Sequence, residues 1–292
     1  MAESVEADET DVDRALQVWR QGDVTLSPNI GFVHWANIVH PLAYASKQAV
    51  AQRNSDDDFP DGHMLVEDSA IEGFVILSQT CDIVRASNDR HYVEVAPLIR
   101  VSPEFLDEVR RVRRPAFVYI PATAAERLIA DLDRTMTVEK SVVATWKRTP
   151  GWATDAESRS IAQALSRQRA RFAFPDDFNA ALAPLASRFR AKHNKASSEG
   201  AYMRALSEIR VRAAPSWDDP IVQLTVWFVK DEASTPDIVD WSGVIDKWVE
   251  LIGQSGRFRV ESAIAVRLED MTARDYVDSD RLDLDHLSIG RP

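Results

Sequence analysis

The 292-residue sequence predicts an α+β protein: a β-barrel-like N-terminal domain with inserted helices, a central helical pair and a C-terminal β-β-α-β module. Two observations support this class. Residues 73–78 form a short apolar run bounded by glycine and polar residues, which is typical of a buried strand. Residues 237–252 carry apolar side chains at helical spacing between two β-branched runs, which is typical of a helix packed on a sheet.

The first domain is predicted over residues 14–150, after an acidic tail, 1–13, that we expect to be disordered because it has few apolar residues. Residues 73–78 and 92–99 should pair as a hairpin whose long connection contains Cys81. Apolar patterning and turn residues predict the other elements. The helices are 13–20, 41–53, 103–114 (with Ser102 as N-cap) and 124–132; the strands are 23–26, 116–120 and the start of 135–146; residues 31–40 fit either class.

The chain changes character after Pro150-Gly151, where a helical pair is predicted over residues 151–195. The segment 193–200 is rich in serine and polar residues, which indicates a linker. A small α+β module should then occupy 201–292, with Thr272 capping its last helix. The elements expected in these two parts are helices at 155–172, 178–192 and 237–252 and strands at 209–213, 221–229 and 258–268.

Charge is distributed unevenly along the chain. Residues 1–99 have a net charge of −11, residues 100–195 of +7, and residues 196–292 of −7. The basic middle third either packs against its acidic neighbours or contacts a polyanion such as nucleic acid. Since the whole chain carries −11, such a contact has to be local.

Several protein classes are disfavoured by missing features. The sequence has no apolar run long enough to cross a bilayer and no secretory signal at its acidic N-terminus, and one cysteine cannot form an intrachain disulfide. We therefore expect a cytoplasmic, bacterial-type protein that does not bind a membrane. P-loop, GxGxxG, GxSxG and HExxH motifs are absent, which argues against the commonest nucleotide-binding and hydrolase classes. No cofactor is predicted.

Cys81 is the main candidate for chemistry. It follows the apolar run among Ser78, Gln79 and Asp82, and rigid strand ends often display reactive groups. A thiolate needs a base, which His91 could supply with Asp82 as its orienting group. The alternative is that Cys81 is a small buried hydrophobic residue, the usual role of a free cysteine.

Metal binding is a weaker hypothesis. The span 61–91 contains acidic residues and histidines that would suit Mn, Mg or Zn, but no pair has a diagnostic spacing, and solvated loops explain most of these charges. No metal site is predicted. The residues considered are Asp61, His63, Glu67, Asp68, Asp82, Asp89 and His91.

A basic stretch offers a candidate phosphate-binding surface. It consists of Arg110, Arg111, Arg113 and Arg114, and a guanidinium binds phosphate in a bidentate fork. The further arginines at 167, 169 and 171 alternate in sequence and would spread around a helix instead of forming one stripe. Solvated helix faces and internal ion pairs are the competing explanation.

The hairpin segments resemble a known family. Gly73-Phe-Val-Ile-Leu-Ser-Gln and Tyr92-Val-Glu-Val-Ala-Pro-Leu-Ile are similar to the central strands of PemK/MazF-type plasmid-maintenance toxins, and Gly22-Asp23 is similar to the dipeptide that opens their first strand. The resemblance implies an SH3-like barrel over residues 22–145 with an RNA-cleaving or partner-binding groove. An acidic loop, 67–73, stands where that family has an arginine-rich one, so no catalytic residue is carried over.

These observations lead to three functional hypotheses. The first is a bacterial-type binding or effector protein, of the kind associated with toxin or phage-defence genes, that acts on nucleic acid or a protein partner. The second is a cysteine-dependent enzyme that uses Cys81 with His91. The third is a structural subunit of an assembly, which the eight tryptophans permit because aromatic residues anchor interfaces.

Overall fold

The computed structural model describes residues 9–26, 28–53, 61–112, 114–170, 172–231, 240–252 and 256–282. Helices and mainly antiparallel sheets together confirm the α+β class. The chain divides into two compact units, residues 1–169 and 170–291. The boundary falls between the two helices predicted as a pair, so that each helix belongs to a different unit.

The first unit combines short helices with two antiparallel sheets. Its helices are α1 (Glu9–Leu16), α2 (Tyr44–Gln52), α3 (Thr80–Ile83), α4 (Pro103–Arg110), α5 (Lys140–Ala144) and α6 (Asp155–Arg169), and its strands are β1 (Val24–Thr25), β2 (Phe32–Asn37), β3 (His63–Asp68), β4 (Gly73–Ile76), β5 (Tyr92–Arg100), β6 (Phe117–Tyr119), β7 (Leu128–Asp131) and β8 (Met136–Glu139).

The main sheet of this unit has the order β1-β4-β5-β7-β6, and β8 also pairs with β5. The predicted hairpin is confirmed, because β4 and β5 pair antiparallel with Gly73 opposite Leu98. β2 and β3 form a separate two-stranded ribbon. Within the described ranges no strand of the ribbon pairs with the main sheet. The expected barrel is therefore open, because β2 bonds only to β3 and β8 gives way to a helix after four residues.

Both faces of β4 are covered, as its uninterrupted apolar sequence predicts. Phe74 and Ile76 lie in one core cluster with residues of α1 and α5, whereas Val75 lies in a second cluster with Ile161 and Leu165 of α6. Consecutive residues of a strand point to opposite faces, so an all-apolar strand requires a core on each side. Helix α6 supplies one of these covers.

Asp23 holds the start of β1 against a distant part of the chain. Its carboxylate is 1% exposed and accepts hydrogen bonds from Arg20 N (2.7 Å), Arg148 Nε (2.6 Å) and Gly151 N (3.2 Å). A Cβ atom at Gly151 would lie 1.7 Å from the carbonyl oxygen of Gly22, so only glycine fits there. The buried charge is thus balanced by one guanidinium and two backbone N–H groups.

Some local predictions for the first unit differ from the structure. Residues 124–132 were expected to be helical, but β7 occupies 128–131, where it pairs with β5 and β6 and all four of its side chains are buried. Tertiary burial here overrides helix propensity. Helix α1 begins at Glu9, so residues 9–13 of the expected disordered tail are helical; residues 1–8 lie outside the described ranges. Ser102 caps α4 as predicted.

The second unit is built around a four-stranded sheet of order β11-β10-β9-β12. The β-β-α-β order predicted for this region is confirmed, since β9 and β10 are antiparallel and β10 and β11 are parallel with a helix between them. Thr272 caps its last helix, also as predicted. The elements are α7 (Asp176–Lys192), α8 (Ser198–Arg204), β9 (Leu206–Ala214), β10 (Val222–Lys230), α9 (Ser242–Leu251), β11 (Phe258–Val266), α10 (Ala273–Val277) and β12 (Asp280–Arg281).

Candidate functional site

The polar residues predicted around Cys81 lie in the connection between β4 and β5, where they fix the backbone. Ser78 Oγ accepts a hydrogen bond from Glu94 N at 2.8 Å, and Thr80 Oγ1 accepts one from Gln21 N at 3.2 Å. Gln79 is the N-cap residue of the single-turn helix α3. Small polar side chains at a strand end thus serve to anchor the loop in this protein.

Cys81 is exposed, contrary to the interpretation that it is buried. Its Sγ contacts Gln79 Oε1 at 3.7 Å. His91 Nδ1 lies 2.7 Å from Ser87 O, and Asp82 faces Arg85 and Arg90 at 3.9 Å each. Within the described residues no hydrogen bond joins the cysteine, histidine and aspartate, so the structure does not assemble them into a catalytic triad.

Lys140 lies beneath this connection and is 1% exposed. Its ammonium donates to Arg85 O at 2.5 Å. Burial lowers the pKa of Lys140, while Asp13, Asp82 and Asp89 act in the opposite direction. The sequence did not single out this lysine, because an isolated lysine at the end of an apolar strand usually points to solvent.

The acidic residues and histidines of the span 61–91 do not converge. Over the described ranges, no group of three or more His, Cys, Asp or Glu side chains has a geometry that could hold a metal ion.

Two of the four arginines of the predicted basic surface pair with acidic residues of α4. Arg111 pairs with Asp107 at 3.1 Å and Arg114 with Glu108 at 2.6 Å, and the Arg114 guanidinium lies 4.5 Å from the centre of the Phe105 ring. Arg110 is exposed, with no ion pair to a described residue. Arg113 lies outside the described residues. The structure therefore leaves few free cations in this stretch for binding a phosphate backbone.

A groove of about 820 Å³ lies between the ribbon and β8 in the first unit, and we call it the edge groove. Consecutive side chains of a strand point to opposite faces, so a cavity on one face is lined by every second residue. A cavity along the edge of a strand is lined by consecutive residues. β8 lines the groove in this way with residues 136–139 and β2 with residues 33–35, and one face of the ribbon also contributes, because Leu65 and Glu67 of β3 lie opposite Trp35 and Val33. The lining residues are Ile30, Val33, His34, Trp35, Leu65, Glu67, Glu94, Thr135, Met136, Thr137, Val138 and Glu139.

The free edge of β8 presents unpaired backbone groups to the edge groove. Lys140 N donates to His91 O at 2.9 Å, and hydrogen-bonded pairs alternate with non-hydrogen-bonded pairs along an antiparallel ladder. The even-numbered residues of β8 are therefore the ones whose backbone groups bond to β5. The backbone N–H and C=O of the odd-numbered Thr137 therefore point away from β5.

β2 also has a free edge with unpaired backbone groups. Ile38 N donates to Gly62 O at 3.0 Å, so the even-numbered residues of β2 bond to β3. The backbone groups of Val33 and Trp35 consequently point away from β3. Two strand edges thus border one groove, at the place where the expected barrel is open.

The outer face of the edge groove combines apolar and acidic side chains. Trp35 and Leu65 are directly opposite each other in the ribbon and are 73% and 57% exposed. Glu67 Oε1 accepts from Gly31 N at 2.6 Å, and Glu139 Oε1 accepts from the Ser141 hydroxyl at 2.6 Å. Neither carboxylate forms an ion pair with a described residue, so the groove has a negative rim.

Two further polar groups complete the lining. Glu94 forms an ion pair with Arg169 at the end of α6, so its charge is already balanced. His34 Nε2 lies 2.8 Å from Ser46 Oγ, and its Nδ1 is buried with no hydrogen-bond partner among the described residues.

The edge groove was not predicted from the sequence, because residues 63–68 showed no strand pattern and residues 31–40 fitted either class. The run Phe32-Val-His-Trp-Ala-Asn has no strict alternation of apolar and polar residues, so the sequence offered no period of two that would indicate a strand. A free strand edge is a property of pairing that cannot be read from one strand alone.

Comparison with known proteins adds no relative: no family model, curated protein or solved structure matches the chain. The resemblance to PemK/MazF-type toxins therefore stays a prediction. In the ranges that the structure describes, no helix has both the length and the apolar character needed to span a bilayer.

Proposed function

We propose that this is a binding protein whose first unit captures an extended segment of a partner protein in the edge groove. The single observation that carries the proposal is the pair of free strand edges, β2 and β8, bordering one cavity. An extended peptide placed between them could form main-chain hydrogen bonds with both edges. Strand addition of this kind is a common way for proteins to bind peptides.

The charges of the groove favour a protein over nucleic acid. Glu67 and Glu139 would repel a phosphate backbone, and two arginines that follow α4, Arg111 and Arg114, are engaged with Asp107 and Glu108. A second copy of this chain is also disfavoured as the occupant, because each copy carries −11 and would present the same acidic edge. The supported occupant is an extended segment of a different protein.

We place this activity in the cytoplasm, the compartment that a chain with a single cysteine predicts. An association with toxin or phage-defence genes remains a prediction from the sequence resemblance.

The backbone of Thr137 provides the test. Octapeptides selected from a random displayed library against the wild-type protein would be synthesised and their Kd measured by fluorescence anisotropy. Thr137→Pro removes the N–H that faces the groove and leaves the bonds between β5 and β8 intact, because those are made by the neighbouring residues. We expect a loss of affinity of about tenfold, the effect of one hydrogen bond plus steric obstruction.

Thr137→Val is the matched control, because it changes the side chain and keeps the backbone N–H. It should bind the selected peptides within about twofold of the wild type, and thermal unfolding should show both variants to be folded. If Thr137→Pro binds as well as Thr137→Val, the peptides do not add to β8 and the proposal is wrong.

A further inference from the structure

We infer that the partner segment alternates β-branched apolar residues with lysine or arginine. This inference rests on the proposed function and specifies the chemistry of the occupant. It follows from the two faces that an inserted strand would have, because its side chains would alternate between those faces as in any sheet.

The inner face of an inserted strand would meet the core of the first unit. Phe32 of β2 and Val138 of β8 belong to the same hydrophobic cluster, and Ile30 and Met136 pack against that cluster. All four residues flank or line the edge groove. Side chains on this face would be removed from water next to apolar neighbours, which favours valine, isoleucine or another β-branched residue that fits a pleated surface.

The outer face would have Glu139 of β8 beside it, and Glu67 of β3 one strand farther away, directly opposite Val33 of β2. Each carboxylate keeps one oxygen, Oε2, without a hydrogen bond to a described residue, and neither has a cationic partner among the residues that the structure describes. Glu94 lies on the same face but is paired with Arg169. Two uncompensated carboxylates on opposite walls are therefore available to residues projecting outward from the inserted strand.

Lysine and arginine satisfy both demands of this outer face. Their aliphatic stems can cover the exposed rings and methyl groups of Trp35 and Leu65 while the charged ends reach the carboxylates. Acidic residues at these positions would weaken binding, because like charges on neighbouring strands of a sheet repel each other. The structure thus selects a basic, amphipathic strand.

Three synthetic octapeptides test the inference: alternating Val-Lys, Val-Ser and Val-Glu, each acetylated and amidated. They share the inner face and differ in the outer one. We expect Val-Lys to bind more tightly than Val-Ser, and Val-Glu to bind most weakly. Each exposed carboxylate–ammonium pair contributes roughly two- to fivefold, so two pairs should separate Val-Lys from Val-Ser by about tenfold at low salt. The separation should shrink as salt is added.

The variant Glu67→Gln/Glu139→Gln should remove this preference and keep the binding of Val-Ser, and Asp107→Asn, remote from the groove lining, is the control. Equal affinities of Val-Lys and Val-Ser for the wild type, with both reduced by Thr137→Pro, would overturn the charge inference and leave strand addition standing. Absence of binding by all three peptides, together with no library peptide sensitive to Thr137→Pro, would overturn the proposed function as well.

Discussion

Replacing Asp23 by alanine tests how the first unit is held together. The carboxylate is buried and accepts one charged hydrogen bond and two backbone hydrogen bonds. Removing one partner of a buried ion pair costs about 3–5 kcal/mol, because the remaining groups lose their compensation. Arg148 is 28% exposed and can turn to water, so we expect the lower end, about 3 kcal/mol.

Thermal unfolding followed by circular dichroism or calorimetry provides the assay. For a unit of this size, 3 kcal/mol corresponds to a fall in Tm of about 6–12 °C. Asp11→Ala is the matched control: its ion pair with Arg14 is exposed and is worth less than about 1 kcal/mol. If Asp23→Ala lowers Tm no more than Asp11→Ala does, the carboxylate does not stabilise the start of β1 and the reasoning fails.

Two further predictions concern pH. Burial lowers the pKa of Lys140, so below its ordinary value of 10.5 the native state binds fewer protons than the unfolded chain and stability rises with pH. Lys140→Met should flatten that rise when urea unfolding is measured at increasing pH up to 10.5; parallel curves would contradict this. The hydrogen bond from Arg188 lowers the pKa of Glu199, so its stabilisation is lost as pH falls below about 4.5. The difference between Glu199→Gln and wild type should therefore shrink as pH falls below 4.5, and a constant difference would be evidence against the assignment.

Local sequence patterns predicted much of the secondary structure. Apolar periodicity and turn residues are local signals that a short stretch of sequence contains. They predicted the buried strand at 73–76, its antiparallel partner and the β-β-α-β order of the second unit. The strand at 128–131 was missed because its alanine and leucine favour a helix in isolation. Its conformation is decided by burial between two distant strands, which no local window contains.

The candidate site was harder to predict, for a physical reason. Cys81 and its polar neighbours stood out as residue types, yet Ser78 and Thr80 prove to be loop anchors. The edge groove is defined by the backbone N–H and C=O groups of Thr137 and Trp35. These groups matter because no neighbouring strand of the described chain pairs with them. Residue type carries no information about an unoccupied strand edge.

The acidic rim of the edge groove has a consequence for the unbound protein. An exposed strand edge is a template for uncontrolled pairing between chains, and proteins commonly protect such edges by keeping them short and charged. β8 has four residues, and it ends in Glu139, across the groove from Glu67. Two chains that met edge to edge would bring like charges together, so the carboxylates that would attract a basic partner also protect the free protein from aggregation.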